Sequence, residues 1–222
     1  MNQHVPVITI DGPSASGKGT VAQRVAAVLG FHYLDSGALY RLTALAAQYR
    51  RVNWKDEPFV AEIAAGIDVI FEGERVLLAG NDVSLAIRSE EMGVGASTVA
   101  ALPAVRVALL ERQRAFAQKP GLLADGRDMG SVVFPQAPLK IFLTATAAVR
   151  AERRYKQLIA RGEPADLAAI TAELEARDER DRVRAVAPLQ QLPDALLLET
   201  SNLTIEQAVA QVLAWWQARM PK

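Results

Sequence analysis

An α/β fold on a parallel sheet of five strands is what this chain predicts, and three features carry the prediction. A short apolar run, Val5 to Ile10, passes through a glycine-bearing turn into an apolar-periodic segment, Thr20 to Leu29. Strand-length apolar runs then alternate with helical periodicity, the pattern of parallel strands joined by crossover helices. One later run, Leu122-Leu123-Ala124, delivers the loop Asp125 to Gly130 at its carboxyl end. That is the edge where open α/β sheets take ligands.

The turn after the first strand is Gly12-Pro13-Ser14-Ala15-Ser16-Gly17-Lys18-Gly19-Thr20. Its glycines let the backbone curl so that several N–H groups face one anion, while the following helix and Lys18 add positive charge. This is a phosphate-binding loop in its required strand–turn–helix context. The general pattern places a hydroxyl directly after the lysine to ligate Mg²⁺, but that slot is Gly19 here and Thr20 follows it. Gly-Lys-Gly-Thr resembles the loop of nucleoside monophosphate kinases such as adenylate kinase. Mg²⁺ would then be held mainly through phosphates and water, with no protein metal site.

The remaining elements follow in order. Val21, Val25, Val28 and Leu29 share one helix face, and Gly30 ends that helix. Phe31 to Leu34 reads as a strand, and Asp35-Ser36-Gly37 as a loop capping a helix from Ala38 to about Arg51, with Leu39, Leu42, Leu45 and Ala46 inward. From Asn53 the character changes. Pro58 to Ala65 forms a short helix; Ile67–Phe71, the turn Glu72-Gly73-Glu74 and Arg75–Ala79 form a hairpin; Asp82–Ser84 is a further brief strand. A small antiparallel patch inside an alternating chain is an insert.

Helices are expected over Ser89–Ala101 and Pro103–Gln118, the latter broken by Pro120-Gly121. Leu139–Leu143 is another strand. Thr146 starts a helix to about Arg161, Gly162-Glu163-Pro164 breaks it, and Asp166 to about Arg184 forms a second charged helix. Ala195–Leu198 is the fifth strand, and Thr204 caps a final helix whose Trp215 and Trp216 belong to packing. The chain thus divides into a core (1–52, 103–150 and 185–222), an insert (53–102) and a helical lid (151–184).

Bulk composition narrows the function. With 222 residues, half of them apolar, the chain can bury a substantial core as one domain with inserts. Lys and Arg (25) balance Asp and Glu (25), which argues against a general nucleic-acid or membrane-surface binder. Cysteine is missing, so disulfide and thiolate chemistry are excluded. With neither a secretory leader pattern nor a bilayer-length apolar run, a cytoplasmic protein is expected, acting as a monomer on small molecules.

Anionic substrates need cations. Arg41 lies one turn beyond Ser36, so its guanidinium, Ser36 Oγ and nearby N–H groups could grip one phosphate. Arg127, in a loop between Gly126 and Asp128, suits phosphate through its planar fork. Arg150, Arg153, Arg154 and Arg161, then Arg177, Arg180, Arg182 and Arg184, mark the two helices of the lid. Arg177, Asp181 and Arg184 share one stripe; Glu173, Glu175, Asp178 and Glu179 interleave with them, which also fits a salt-bridged exposed helix. Phosphoryl transfer would use such groups together: positioning, charge neutralisation and exclusion of water do the catalysis, and an anionic acceptor needs no general base.

Four motifs in combination resemble the short-form bacterial cytidylate kinases: Ile8 to Ser14, Tyr33 to Arg41, Ala124 to Gly130 and Arg180 to Pro188. The resemblance runs over nearly the whole chain. It implies a phosphate-loop NTPase-type core with a monophosphate-binding insert and a lid, transferring phosphate from ATP to CMP or dCMP with Mg²⁺. It implies that residues 12–20 bind ATP and that Ser36, Arg41 and Arg127 hold the acceptor phosphate. Ser97, Arg106 and Asp128 would read cytosine; Arg177, Asp181 and Arg184 would contact ribose, phosphate or base; and Lys18, Arg127, Arg184 and Arg153 would be catalytic. Cytosine offers a donor at N4 and acceptors at N3 and O2, which suits an acid beside cations. The sequence departs from the family at Ala15-Ser16, where Gly-Ala is common, and in a short insert hairpin. A thymidylate, guanylate or shikimate-type kinase, or a nucleotide-binding module without catalysis, are the alternatives.

Overall fold

The computed structural model describes residues 5–72 and 75–219. In chain order they form β1 (Val7–Asp11), α1 (Lys18–Leu29), β2 (His32–Asp35), α2 (Ser36–Tyr49), α3 (Glu57–Ala65), β3 (Val69–Glu72), β4 (Arg75–Leu78) and β5 (Asn81–Asp82). After a 3₁₀ turn come α4 (Glu90–Ala100), α5 (Pro103–Arg114), β6 (Leu122–Gly126), a π turn (Met129–Val133) and β7 (Leu139–Thr144). The chain continues with α6 (Ala147–Ala160), α7 (Leu167–Val183), β8 (Leu196–Glu199) and α8 (Ile205–Arg219). They gather into two compact units, residues 5–34 with 116–219, and the described residues from 35 to 115.

The first unit holds the five-stranded sheet, ordered β2-β6-β1-β7-β8. β1 lies centrally, parallel to β6 on one side and β7 on the other. Being covered on both faces, it is apolar almost throughout and every residue of it is buried. Ile8, Ile10, Leu123, Leu139 and Ile141 pack with Val21 and Val25 of α1 and with Val212 and Trp216 of α8. Trp216 meets Phe31 edge-on at 5.7 Å, so it belongs to the core as expected. Val28 does not join that face: it is 65% exposed. Helices α6 and α7 form a pair with an apolar seam of their own, Ala151, Leu158, Ile170 and Leu174.

In the second unit α2 packs on α3 and α4, and α3 on α5. Leu39, Leu42, Leu45 and Ala46 are all buried. The antiparallel sheet β3-β4-β5 is present, with Phe71 paired to Val76 and Leu78 to Asn81. The expected turn at Gly73-Glu74 lies outside the described residues. Three expectations shift. The last strand is Asn81–Asp82, since Asp82 caps Ser84 N–H with its side chain and turns the chain there. Helix α5 stops at Arg114, short of Gln118. Ser36 and Gly37 are already helical, because Asp35 supplies the cap by accepting from Ala38 N–H. Among the described residues no single helix is long and apolar enough to cross a membrane.

Candidate active site

Within the first unit the chemistry gathers at the carboxyl edge of β1 and β6. Gly12 leaves β1 so close to β7 that a Cβ would stand 2.0 Å from the Leu143 carbonyl oxygen. A glycine is therefore a steric requirement there. Gly17, at φ +92°, caps α1 and turns the loop into the helix. Ala15 takes φ +56°, so a side chain bears left-handed strain inside the loop. Lys18 curls back over the loop, with Nζ 3.5 Å from the Pro13 carbonyl and 3.7 Å from Asp125 Oδ1. Asp125 is the next-to-last residue of β6 and also accepts from Tyr33 OH at 3.1 Å.

Ser14 is gripped at three of its atoms. Its Oγ accepts from Arg127 Nη2 at 2.8 Å, its carbonyl from Arg150 Nη1 at 3.1 Å, and its N–H donates to Asp178 Oδ1 at 3.4 Å. Arg150 Nη1 also meets Asp178 Oδ2, so one pair spanning α6 and α7 brackets the Ser14 peptide groups. Arg150 is buried. Two residues on, the Ser16 carbonyl accepts from Arg153 Nη1 at 2.9 Å, and Arg153 Nη2 donates to the Thr200 carbonyl at 2.7 Å. Thr200 Oγ1 stands between these groups, 3.3 Å from the Ser16 oxygen and 3.0 Å from that of Thr144. A cavity of about 390 Å³ adjoins this corner, lined by Ser16, Thr20, Arg153, Gln157, Leu203 and Ile205 among others.

Arg127 Nε donates to Asp181 Oδ2 at 2.8 Å, joining the loop after β6 to α7. Burial alone would raise the Asp181 carboxyl, but Arg127, then Arg177 and Arg184, outweigh it and hold it below the usual carboxylate range. Burial would likewise lower Arg127, and Asp181 reverses that, so the guanidinium stays firmly charged. Asp128 is buried with Arg184 Nη2 at 3.8 Å, and Arg184 Nε donates to the Ala187 carbonyl. Beneath this loop Asp11, the last residue of β1, accepts from Met129 N–H and Gly130 N–H, each at 2.8 Å. Burial pushes its carboxyl up to about 7, against those two hydrogen bonds and with help from Asp128 and Asp125.

The second unit carries the other expected residues. Ser36 is buried at the start of α2, Ser97 is buried on α4, and Arg106 is buried on α5. Arg106 donates to the Ala100 carbonyl at 3.2 Å and sits 5.7 Å over the Tyr40 ring. Arg41 Nη1 is directed at the Ile87 and Ser89 carbonyls, at 2.9 and 3.3 Å.

Thus Lys18, Arg127, Asp128, Arg153, Asp181 and Arg184 cluster around the loop, whereas Ser36, Arg41, Ser97 and Arg106 occupy the α2–α4–α5 unit. The sequence alone assigns no role to Asp11, Asp125 or Thr200, and in it Asp178 reads as one acid of an exposed salt-bridged helix. An acid at the carboxyl end of a mostly apolar run is the available signal for Asp11 and Asp125. Thr200 gave none, because only the fold brings it to Ser16.

The cytidylate kinase family model matches residues 8–218. The chain belongs to the cytidylate kinase family. Its relatives in that family include the cytidylate kinase of Chromobacterium violaceum, 63% identical over 97% of both chains. That of Neisseria meningitidis serogroup C is 62% identical, over 95% of this chain and 97% of its own. A solved structure of an uncharacterized protein from Eubacterium ventriosum superposes with a TM-score of 0.52 over 96% of this chain and 99% of its own. At 10% identity it shows the fold alone.

Proposed function

We propose that this member of the cytidylate kinase family transfers the terminal phosphoryl group of ATP to CMP and dCMP, as a cytoplasmic monomer in pyrimidine nucleotide metabolism. The observation that carries the reading is the convergence of Lys18, Arg127 and Arg153 on one phosphate loop, with the Asp128–Arg184 pair on the segment that carries Arg127, in a chain of this family. Residues Gly12 to Thr20 take the ATP phosphates, and the cavity beside Arg153 and Leu203 takes the adenine end. Arg127 and Arg184 face the acceptor phosphate, Asp128 accepts from cytosine N4, and Asp181 with Arg177 takes the ribose. Ser36, Arg41, Ser97 and Arg106 are the second unit's own proposed acceptor ligands.

The residues present fit Mg²⁺ held through water and phosphate. A Cβ on Gly19 would lie 3.2 Å from Asp125 Oδ2, so a carboxylate oxygen stands by the slot where related loops have a hydroxyl. Asp125 would hold the ion's water ligands, and no group of three or more His, Cys, Asp or Glu gathers among the described residues. When bound, Mg²⁺ neutralises phosphate oxygens. The protein's own share is charge: Lys18 and the guanidinium groups offset the mutual repulsion of two anionic nucleotides and fix them in line.

Purified protein with ATP, offered CMP, dCMP, UMP, GMP, dTMP and shikimate in turn, tests the proposal through ADP release. CMP and dCMP should be turned over best; strong turnover of shikimate with none of CMP would end it. Lys18→Ala should lower kcat by about 10²–10³-fold, the scale of losing one transition-state charge contact, without a comparable loss of stability. Full activity in that variant would remove the mechanism.

A further inference from the structure

Asp11 is a buried carboxylate of the sheet edge whose two oxygens both accept from backbone N–H groups of a single loop. Those groups belong to Met129 and Gly130, the residues directly after Arg127 and Asp128. The strand register sets Asp11 beside Gly126, so the same residue borders both ends of the segment 126–130. Asp128 opens the π turn that follows, its carbonyl accepting from Val132 N–H at 2.9 Å. Gly130 is confined as well, since a Cβ there would stand 2.9 Å from Thr9 Oγ1. The loop carrying Arg127 and Asp128 is therefore folded over one carboxylate, which fixes where its side chains begin.

Chemistry explains why the group is an aspartate. Two N–H donors converge on two oxygens, and only a carboxyl group offers an acceptor to each; an amide turns an NH₂ toward one of them, and a hydroxyl reaches one at most. Burying such a group opposes its ionisation, and the carboxyl is pushed up to about 7 as a result. An apolar residue would avoid that cost but would leave two buried N–H groups without partners. A residue kept in so unfavourable an environment has a geometric task.

We propose that Asp11 is a positioning residue for acceptor recognition: it touches no nucleotide, and it holds the loop 126–130 so that Asp128 meets the base and Arg127 the phosphate. This rests on the reading of Asp128 as the cytosine contact. It assigns a share of base selectivity to a residue that precedes the ATP loop in sequence.

Asp11→Asn separates the possibilities, with Asp128→Asn measured beside it. Losing one buried hydrogen bond should raise KM for CMP about tenfold and shrink the CMP-over-UMP preference by a similar factor. KM for ATP should stay within about threefold, because each loop contact of Ser14, Ser16 and Lys18 survives. If Asp128→Asn leaves the base preference unchanged, the reading of Asp128 fails. If Asp128→Asn abolishes the preference while Asp11→Asn retains it and the CMP KM, the positioning role is overturned. An equal rise in both KM values overturns it too, since a plain staple would loosen both sites. Should the amide variant not fold, Asp11→Ser is scored by the same ratios. In the unaltered protein the Met129 and Gly130 amides should exchange slowly with solvent; exchange at exposed-loop rates would also sink the proposal.

Discussion

Two parts of the first unit solve the same problem, a buried carboxylate, in opposite ways. At the strand edge Asp11 is satisfied by backbone N–H groups alone. On α7 the buried Asp181 is satisfied by the Arg127 guanidinium, while half-buried Asp178 takes the Arg150 guanidinium together with the Ser14 N–H. Backbone partners cannot leave without refolding the loop. Side-chain partners can, because an arginine that pairs with a carboxylate pairs equally well with a phosphate. The difference teaches which contacts are frame and which are exchangeable: in the proposed function, Arg127 and Asp181 hold each other until nucleotides offer both a better partner.

The sharpest way to break this contrast is Asp178→Ala. It would strand the buried Arg150 guanidinium without its acid, a change that costs about 3–5 kcal/mol where one partner of a buried pair is removed. Adding Arg150→Met should recover most of that loss, since an apolar side chain of similar length needs no partner. Denaturant melts of both variants and the double variant give the answer. If the double variant is no more stable than Asp178→Ala, the pair does not carry the stability and the Ser14 contacts do.

pH sharpens the comparison, because the two carboxylates carry opposite signs. The Asp11 carboxyl is pushed up to about 7. Between pH about 4 and 7 the folded chain therefore holds a proton that the unfolded chain has released. Its contribution falls as pH rises through that window, by at most about 1.4 kcal/mol per pH unit, and levels off above it. The Asp181 carboxyl is held below its ordinary value. Its stabilisation is fully present above the ordinary carboxylate range and is lost as pH falls through the folded value. Subtracting the Asp11→Asn stability curve from that of the parent should leave a difference that declines from pH 4 to 7. The Asp181→Asn difference should be flat there and close only in stronger acid. A flat Asp11 difference would mean that the carboxyl is not desolvated.

Much of this was legible in the residues. The loop Gly12 to Thr20, the strand–helix alternation and the motif around Arg127 are local signals, and each element stands within a few residues of its expected place. The errors share a cause. Val28 has the right period yet is exposed, and how much of a helix face its neighbours cover is a tertiary fact. The π turn at Met129–Val133 was invisible, since it depends on Asp11 drawing two successive N–H groups down from a strand 118 residues earlier. Asp178 resembles its neighbours Glu175 and Glu179 in type and differs only in facing Arg150. Long-range partners decide such roles, and no spacing rule encodes them.

The smallest expected effect falls on the loop itself, between the two regions. Ser16 Oγ is buried and has no hydrogen-bond partner among the described residues, although the Ser16 carbonyl has two. The hydroxyl is thus one that neither frame nor exchangeable pair makes use of. An unsatisfied buried hydroxyl costs about 1–3 kcal/mol, part of which the unfolded chain recovers through water. Ser16→Ala should therefore raise the stability of the ligand-free protein by about 1 kcal/mol. The denaturation midpoint should move up at an unchanged slope, and the carbonyl contacts to Arg153 and Thr200 should keep KM for ATP near its parent value. A drop in stability would show instead that the hydroxyl is bonded, through an ordered water or a shifted Thr200, and would place this residue with the rigid frame that Asp11 represents.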